Sequence, residues 1–350
     1  MNAPDPTPFR LTDLAHGGGC GCKLSPAVLR EILGKSVGGI VPKELLVGVE
    51  TSDDAAVYQI NETQAIVATT DFFMPVVDDP FDFGAIAATN AISDIYAMGG
   101  RPLFALALVG MPIEKLPVDT IRKILEGGQS VCARAGIPVA GGHSIDSVEP
   151  IYGLVAIGLI DPRKVKRNAD AKPGDRIILG KPLGVGIYSA AIKKQKLDAA
   201  GYAAMIASTT KLNTPGSALA EIGGVHALTD VTGFGLLGHL LEVCLGSRLA
   251  ASIRWGAVPL LPGAGDLVRA GIKTGASTRN WDSYGEHVRL GKHSELEKTL
   301  LTDPQTSGGL LVTCAPNAVE EVLSVFRNQG FEHAAEIGAL RAGTPVIDIE

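Results

Sequence analysis

Residues 64–71 read Gln64-Ala65-Ile66-Val67-Ala68-Thr69-Thr70-Asp71, and this stretch decides the fold class. Its short, β-branched run predicts a buried strand over 64–70, which places Asp71 at the carboxyl end of that strand. Residues 84–98 are rich in alanine and isoleucine, which predicts a buried helix that ends before Gly99 and Gly100. Because short apolar strands alternate with helical patterns, we expect the α/β (α+β) class, in which ligands bind beyond the carboxyl ends of strands.

The chain has 350 residues, which is more than one domain usually contains, so we expect two domains with separate cores. Residues 161–174 are polar, basic and bracketed by prolines, and we place the domain boundary there. This division predicts an N-terminal segment over 1–42, a first domain over 43–161 and a second domain over 162–350.

Three later segments carry local predictions. A strand over 225–229 is followed by Asp230 and a glycine turn, which repeats the pattern of the first domain. A strand over 137–140 leads into Gly141-Gly142-His143-Ser144, where a glycine turn would let backbone amides approach an anion. Residues 275–289 show no apolar period and are expected to form a loop.

Composition excludes several classes of protein. No uninterrupted apolar run approaches the roughly 20 residues that span a bilayer, and residues 1–10 lack the apolar core of a signal peptide, so we expect a soluble, cytoplasmic protein that does not enter the membrane. A net charge of −6 argues against a nucleic-acid-binding protein. Five scattered cysteines, an odd number, do not form the framework of a secreted disulfide scaffold.

A glycine-rich run near the N-terminus, His16-Gly17-Gly18-Gly19-Cys20-Gly21-Cys22-Lys23, carries two thiols and a cation. Three interpretations stay open from the residues alone. The run is a disordered start, a metal site that uses His16, Cys20 and Cys22, or a reactive loop over a substrate. In the third case Lys23 would lower the pKa of the Cys20 thiol by stabilising the thiolate.

Aspartates recur at the predicted ends of elements, and they could serve a metal. Carboxylate oxygens suit hard cations such as Mg²⁺, and divalent ions would let an acidic protein bind a nucleotide. A pair of carboxylates acting as general acid and base stays open as well. No phosphate-binding GxxxxGK[ST] element and no GxSxG nucleophile motif occurs. The aspartates in question are Asp53, Asp54, Asp71, Asp94, Asp230 and the weaker candidate Asp303.

Seven long blocks occur in an order that resembles one known family, the selenide, water dikinases or selenophosphate synthetases. The blocks are HGGGCGCK at 16–23, TSDDAAVY at 51–58, TTDFFMP at 69–75, FGAIAATNAISDIYAMGG at 83–100, AGGHSID at 140–146, TDVTGFGLLGH at 229–239 and DPQTSGGLL at 303–311. The resemblance implies two α/β domains of the aminoimidazole ribonucleotide synthetase (PurM-like) type, preceded by a flexible glycine-rich loop. It also implies that the first domains pair in a homodimer.

The implied reaction converts ATP, selenide and water into selenophosphate, AMP and phosphate, and so supplies activated selenium for selenocysteine and selenouridine synthesis. Mg²⁺ is the implied cofactor, ATP and selenide are the implied substrates, and a selenium-delivery protein is an expected partner. Two alternatives remain at this point. One is another ATP-dependent phosphoryl transferase of the same fold, and the other is a metal-carrying module built on Cys20 and Cys22.

The same resemblance assigns roles to particular residues. Cys20 and Lys23 match the family's catalytic positions, and Asp54, Asp94 and Asp230 match its magnesium ligands. The chain departs from the family pattern at Ser52, where a basic side chain would be expected. The positions that match ATP-binding residues are Lys23, Thr51, Ser52, Asp53, Asp71, Asp94, Gly142, His143 and Ser144.

Overall fold

The computed structural model describes residues 10–24, 28, 31–32, 42–48 and 53–350. Its described part contains two sheets, one in each half of the chain. Each sheet has helices packed beside it. One cluster of buried apolar side chains extends from the first half into the second, and two further clusters lie mainly in the second half. No helix among these residues is long and apolar enough to span a bilayer.

The first sheet has six strands in the order β1-β2-β3-β6-β4-β5. Its pairs are antiparallel except for β4 and β5, which run parallel. The parallel pair needs a crossover, and the second of the two helices of this half supplies it. The elements are β1 (Leu45–Val47), β2 (Ala56–Asn61), β3 (Gln64–Phe73), α1 (Pro80–Ala97), β4 (Arg101–Met111), α2 (Val118–Arg134), β5 (Val139–Asp146) and β6 (Ile151–Ile160).

Helix α1 is the central helix of the first half. Asp79 caps it by accepting a hydrogen bond from the Asp82 amide, and Pro80 occupies its first turn, so it begins four residues before the predicted start. Every residue from Phe83 to Ala97 is buried. A Cβ at Gly84 would lie 1.8 Å from the carbonyl oxygen of Ile124, so the absence of a side chain lets α1 and α2 pack backbone to backbone.

The second sheet has seven strands in the order β10-β13-β9-β12-β7-β11-β8. Its strands are β7 (Arg176–Leu179), β8 (Val225–Asp230), β9 (Leu249–Ile253), β10 (Val288–Arg289), β11 (Leu310–Cys314), β12 (Ala335–Ala342) and β13 (Ile347–Ile349). Its helices are α3 (Val185–Lys193), α4 (Ala199–Thr209), α5 (Pro215–Leu219), α6 (Gly235–Ser247), α7 (Ala264–Arg269), α8 (Gly275–Tyr284), α9 (Glu295–Leu301) and α10 (Val319–Asn328).

Two strand ends differ from the prediction. Asp71 lies inside β3, because Phe72 and Phe73 continue the pairing with β6. The predicted glycine turn at 141–144 is wrong, because these residues are part of β5 and pair in parallel with β4. The partner strand supplies hydrogen bonds that the local glycine signal does not reveal.

The predicted loop over 275–289 is also wrong, because most of it forms helix α8, which the Thr274 hydroxyl caps. Two of the four buried residues of this helix, Ser277 and Asn280, are polar. Ser277 bonds the carbonyl oxygen of Thr299, and Asn280 bonds the carbonyl oxygens of Gly233 and Thr302. An apolar period was therefore absent from the sequence although the helix has a buried side.

Candidate active site

Three aspartates from distant parts of the chain meet where α1 contacts β8. Asp94 lies on α1, Asp230 is the last residue of β8, and Asp54 lies just before β2. One carboxylate oxygen from each lies within 4.8 Å of the others, and we call this group the aspartate cluster. Asp230 is 1% exposed and Asp94 is 9% exposed, so water reaches them poorly.

Each member of the aspartate cluster accepts a hydrogen bond from a neighbouring hydroxyl group. Thr69 donates to Asp94 at 2.5 Å, Thr229 donates to Asp54 at 2.8 Å, and Ser93 donates to Asp230 at 2.5 Å. The second oxygen of Asp54, Oδ2, is buried and has no hydrogen-bond partner among the described residues. A buried carboxylate oxygen without a partner is costly, so this atom suits a bound cation.

The electrostatics of the aspartate cluster also favour a cation. Burial raises the pKa of all three carboxyl groups, and the charge of Asp230 raises the pKa of Asp54 and Asp94 further. Lys23 acts in the opposite direction on Asp94 and Asp230. Three oxygen donors with accumulated negative charge match the ligand preference of Mg²⁺, so the residues fit that ion.

The glycine-rich run folds against the aspartate cluster through a 3-10 turn over Gly19–Cys22, which we call the thiol turn. Gly19 has φ +56°, and a Cβ at Gly18 would lie 2.4 Å from the Pro75 carbonyl oxygen, so both positions require glycine. The Cys20 amide donates to the Thr306 hydroxyl at 3.0 Å, which ties the turn to the C-terminal half.

Cys20 points inward from the thiol turn. It is 2% exposed, and its Sγ donates to Asn90 Oδ1 at 3.2 Å. Burial raises the pKa of this thiol far above its ordinary value, Asp71 raises it further, and Lys23 lowers it. In this arrangement the effect of burial on the pKa of Cys20 outweighs that of the ammonium group, so the thiolate form is disfavoured.

Lys23 reaches the same inner side. Its Nζ lies 3.8 Å from Asp71 Oδ2, although 40% of its side chain is exposed to solvent. The charge of Asp71 raises the pKa of Lys23, so the ammonium form is favoured. Asp71 is also the acceptor for the Asn90 side-chain amide at 2.5 Å. Asn90 thus contacts both Cys20 and Asp71, and Asp71 in turn pairs with Lys23.

The remaining residues assigned to ATP lie in three places. Thr51 and Ser52 lie outside the described residues. Asp53 accepts a hydrogen bond from the Asn168 amide at 2.7 Å. Gly142, His143 and Ser144 lie on the exposed strand β5, separated from β3 by β4 and β6, and line an open hollow of about 220 Å³. Within one chain the structure does not bring them to the aspartate cluster.

The proposed metal site on the glycine-rich run does not form among the residues that the structure describes. His16 is exposed and its Nδ1 lies 2.9 Å from Glu149 Oε2. Within the described ranges, the aspartate cluster is the group of His, Cys, Asp or Glu side chains that lie close enough together to hold a metal ion. Cys20 and Cys22 therefore do not join His16 in a ligand set here.

Sequence reasoning missed the hydroxyl groups around the aspartate cluster. The available signal was their position, because Ser93 directly precedes Asp94 and Thr229 directly precedes Asp230. Neither hydroxyl group bonds the aspartate next to it in sequence, because Ser93 donates to Asp230 and Thr229 donates to Asp54. A local motif cannot reveal such bonds.

Comparison with protein families identifies both halves of the chain. The family model described as "AIR synthase related protein, N-terminal domain" matches residues 52–160, and "AIR synthase related protein, C-terminal domain" matches residues 172–348. Solved structures of the same fold include thiamine-monophosphate kinase from Stenotrophomonas maltophilia, with a TM-score of 0.64, 19% identity and coverage of 93% of this chain and 94% of that chain. Hydrogenase maturation protein HypE in complex with ATP has a TM-score of 0.62 at 21% identity, with coverage of 83% and 81%.

Curated relatives are much more similar in sequence. The selenide, water dikinase of Dechloromonas aromatica is 66% identical over 342 residues, which is 97% of this chain and 98% of the relative. That of Pseudomonas straminea is 66% identical over 348 residues, with coverage of 98% and 96%. The predicted resemblance and the two-domain fold are thereby confirmed, and the chain belongs to the selenide, water dikinase family.

Proposed function

We propose that this chain uses ATP to convert selenide and water into selenophosphate, with release of AMP and phosphate, at the aspartate cluster beneath the thiol turn. The observation that carries the proposal is the meeting of carboxylates from both halves of the chain beside the inward-facing thiol of Cys20. Family membership supports the activity, and the residue roles follow from the contacts of each side chain. The product would supply activated selenium for selenocysteine and selenouridine synthesis.

Asp54, Asp94 and Asp230 are proposed to hold Mg²⁺. When bound, the ion would neutralise the negative charge of the triphosphate. The hydroxyl groups of Thr69, Thr229 and Ser93 hold the carboxylates in orientation, because each bonds one of them. The unpartnered Oδ2 of Asp54 supports this assignment more directly than charge alone.

Nucleotide binding is proposed for Lys23, Thr51, Ser52, Asp53 and Asp71. The Lys23 ammonium would neutralise phosphate oxygens, and its pairing with Asp71 supports this role. Ser52 offers a hydroxyl group where the family pattern has a basic side chain, so less positive charge is expected at that position.

Cys20 is proposed to deliver the selenium nucleophile. Its buried thiol lies on the inner side of the thiol turn, against Asn90. Exclusion of water protects an easily oxidised hydroselenide and favours transfer of the phosphoryl group to selenium.

We propose that two chains form a homodimer through the first sheet, because the remaining nucleotide-binding residues lie away from the aspartate cluster of their own chain. Strand β5 is an exposed edge, and Ile145 on it is 58% exposed. Pairing two first domains at this sheet would bring Gly142, His143 and Ser144 of one copy toward the nucleotide of the other. Such an edge needs a cover, because exposed strands with apolar side chains associate. A cytoplasmic location and a selenium-delivery protein as a partner remain part of the proposal.

Selenide-dependent release of AMP tests the proposal. Purified protein with ATP and Mg²⁺ should release AMP and phosphate in step with selenide, and the selenium product should be selenophosphate by ³¹P nuclear magnetic resonance. Release of ADP without any need for selenide would instead indicate another phosphoryl transferase of this fold. Stoichiometric zinc bound through Cys20 and Cys22 would favour a metal-carrying module.

A further inference from the structure

The two cysteines of the thiol turn face different surroundings. Cys20 is buried on the inner side against Asn90. Cys22 is half-buried and lines a cavity on the other side of the turn, where its Sγ packs so close to Gly17 that a Cβ there would lie 2.7 Å away. The proposed function uses only the inner thiol. The outer thiol therefore has a position that the reaction itself does not explain.

The cavity beside Cys22 has a volume of about 680 Å³, which lies in the range of small-molecule sites. Five cationic side chains line it, and we call it the basic cavity: Lys23, Lys193, Lys194, Lys273 and Arg279. A site with this charge attracts anions. None of the three aspartates of the aspartate cluster lines the basic cavity, although Lys23 lines the cavity and also pairs with Asp71 on the inner side of the turn.

Two of these cations also hold the glycine-rich run in place. Lys193 donates to the Ala15 carbonyl oxygen at 3.2 Å, and Arg279 donates to the Gly21 carbonyl oxygen at 2.9 Å. Lys194 and Lys273 are exposed at the cavity and are suited to contact a ligand. An anion in the basic cavity would therefore compete for the groups that keep the turn closed.

We propose that Cys22 is the entry site for selenium, which it takes from a perselenide of an acidic peptide thiol bound in the basic cavity and passes to Cys20. This inference rests on the proposed function, because it concerns the source of the selenium that Cys20 delivers. The carrier is acidic because the cavity is cationic, and it is small because the cavity has the volume of a small-molecule site.

The transfer balances in three steps, with the carrier written R–S–SeH. The Cys22 thiolate attacks selenium, a new S–Se bond forms, and R–S⁻ leaves. The Cys20 thiolate then attacks the same selenium, which regenerates the Cys22 thiolate. Finally the Cys22 thiolate attacks the Cys20 sulfur, so HSe⁻ leaves with the bonding electrons and a disulfide forms. Selenium is reduced, the two thiols are oxidised, and an added thiol restores them.

The exchange requires the turn to loosen, because Cys20 and Cys22 face different sides and thiols that point apart cannot be bridged without backbone movement. Two Cα atoms two residues apart are separated by at most about 7 Å, which a helical turn shortens into the range of disulfides. Gly21 lies between the two cysteines and supplies backbone freedom. Burial raises the pKa of Cys22 to about 11, which Arg279 and Lys193 oppose, and its pKa is raised less than that of Cys20.

The first experiment supplies selenium in two forms. With free selenide, Cys22→Ser should form AMP within about twofold of the unmodified chain, because Cys20 is intact. With glutathione perselenide as the sole source and no added thiol, AMP formation is measured in a single turnover, and the variant should lose activity by about tenfold or more, since the outer nucleophile is missing. Equal activity with the perselenide would overturn the inference. Absence of selenophosphate from free selenide would instead refute the proposed function.

A second measurement follows selenium directly. The Cys20→Ser chain is treated with glutathione perselenide and alkylated, and its peptides are analysed by mass spectrometry. Selenium should be found on Cys22. In the unmodified chain without added reductant, one Cys20–Cys22 disulfide should form for each selenium delivered. Selenium loaded onto Cys20 of the Cys22→Ser chain at the rate of the unmodified chain would contradict an entry role.

The third arm tests charge. The double variant Lys194→Ala/Lys273→Ala should raise the apparent KM for glutathione perselenide by about threefold or more, and leave that for the uncharged 2-mercaptoethanol perselenide unchanged. Lys115→Ala/Lys123→Ala removes two exposed charges away from the cavity and serves as the matched control. An equal effect on both carriers, or none on either, would show that the cavity does not select an acidic thiol.

Discussion

At the scale of single residues, Asn90 joins the parts of the candidate active site. It is completely buried, and its Oδ1 accepts hydrogen bonds from Cys20 Sγ at 3.2 Å and from the Ser307 amide at 2.7 Å. Its side-chain amide donates to Asp71 at 2.5 Å. One side chain therefore links the thiol turn, the first sheet and the C-terminal half. Such a shared partner makes the positions of Cys20 and Asp71 depend on each other.

Replacing the inner thiol separates delivery of selenium from nucleotide binding. Cys20→Ser should abolish selenophosphate formation, because a hydroxyl group does not form a perselenide, while Mg²⁺-dependent ATP affinity measured by calorimetry stays nearly unchanged. Cys132→Ser, at a buried thiol in the first half, is the control for loss of a sulfur atom. Loss of ATP binding in Cys20→Ser would count against a delivery role.

The aspartate cluster predicts a charge-sensitive metal site. Asp94→Asn should weaken Mg²⁺-dependent ATP binding by about tenfold or more, because it removes one of three anionic oxygen donors. The measurement is an ATP titration at several Mg²⁺ concentrations. Asp119→Asn, at an exposed position on α2, is the control. Unchanged metal dependence in Asp94→Asn would remove Asp94 from the proposed ligands.

At the scale of elements, α1 is the helix on which the site depends. It presents Asn90, Ser93 and Asp94 to neighbours in both halves, although the whole segment from Phe83 to Ala97 is buried. Buried polar groups are tolerable because each has a partner. The close approach of α1 to α2 at Gly84 sets the position of the helix, so packing on one side affects the site on the other.

A side chain at Gly84 should therefore destabilise the fold. Gly84→Ala would place a Cβ 1.8 Å from the Ile124 carbonyl oxygen, so the helices must separate at a cost of about 1–3 kcal/mol. Urea unfolding measures the free energy of unfolding. Gly223→Ala is the matched control, because a Cβ there has nothing within 4 Å. Equal stability of the two variants would show that the contact does not limit packing.

Asp303 predicts a pH dependence at the start of α3. It is fully buried, accepts a bond from the Ile187 amide at 3.1 Å, and burial raises its pKa from 3.8 to about 8. Between about pH 4 and 8 the folded state therefore binds more protons at Asp303 than the unfolded state does. The contribution of Asp303 to the free energy of unfolding is full below pH 4 and is lost as the pH rises, by at most about 1.4 kcal/mol per pH unit.

The comparison of the unmodified chain with Asp303→Asn isolates this group. In urea unfolding with a chelator present, the difference in free energy between the two chains should change steadily from pH 4 to 8, with the variant giving the flatter profile. Parallel profiles would show that Asp303 keeps an ordinary pKa in the folded chain.

At the scale of the whole molecule, the site exists only because both halves contribute. Asp230 and Thr306 come from the second half, and Asp54, Asp94 and Cys20 come from the first part of the chain. The residues proposed to complete the nucleotide site lie on β5, far across the first sheet. Assembly of two chains is therefore part of the proposed catalytic unit.

A charge on β5 tests that assembly. Ile145→Glu should convert the proposed dimer to monomers in analytical ultracentrifugation and weaken ATP binding, because burying an unpaired carboxylate at an interface is costly. Leu245→Glu places the same charge at an exposed position in the second half and should leave both properties unchanged. A monomeric Ile145→Glu chain with full ATP affinity would separate nucleotide binding from dimerisation.

Much of the fold was predictable because local patterns and packing agree. The β-branched run of β3, the alanine-rich α1 and the strand β8 follow from composition and period. Two segments differ from the prediction because of contacts made in the tertiary structure. The glycines at 141–142 continue as a strand because β4 pairs with them, and α8 was not predicted because its buried side is partly polar.

By itself the sequence determined the α/β class and the family, because seven blocks and their order are encoded in the chain. It also named the aspartates worth examining. Only the tertiary structure decided that Asp54, Asp94 and Asp230 converge. It also decided that Ser93 and Thr229 donate hydrogen bonds to aspartates distant in sequence. The opposite orientation of Cys20 and Cys22 likewise depends on the tertiary structure. The physical reason is that hydrogen bonds and charge interactions act through space, whereas propensity and periodicity act along the chain.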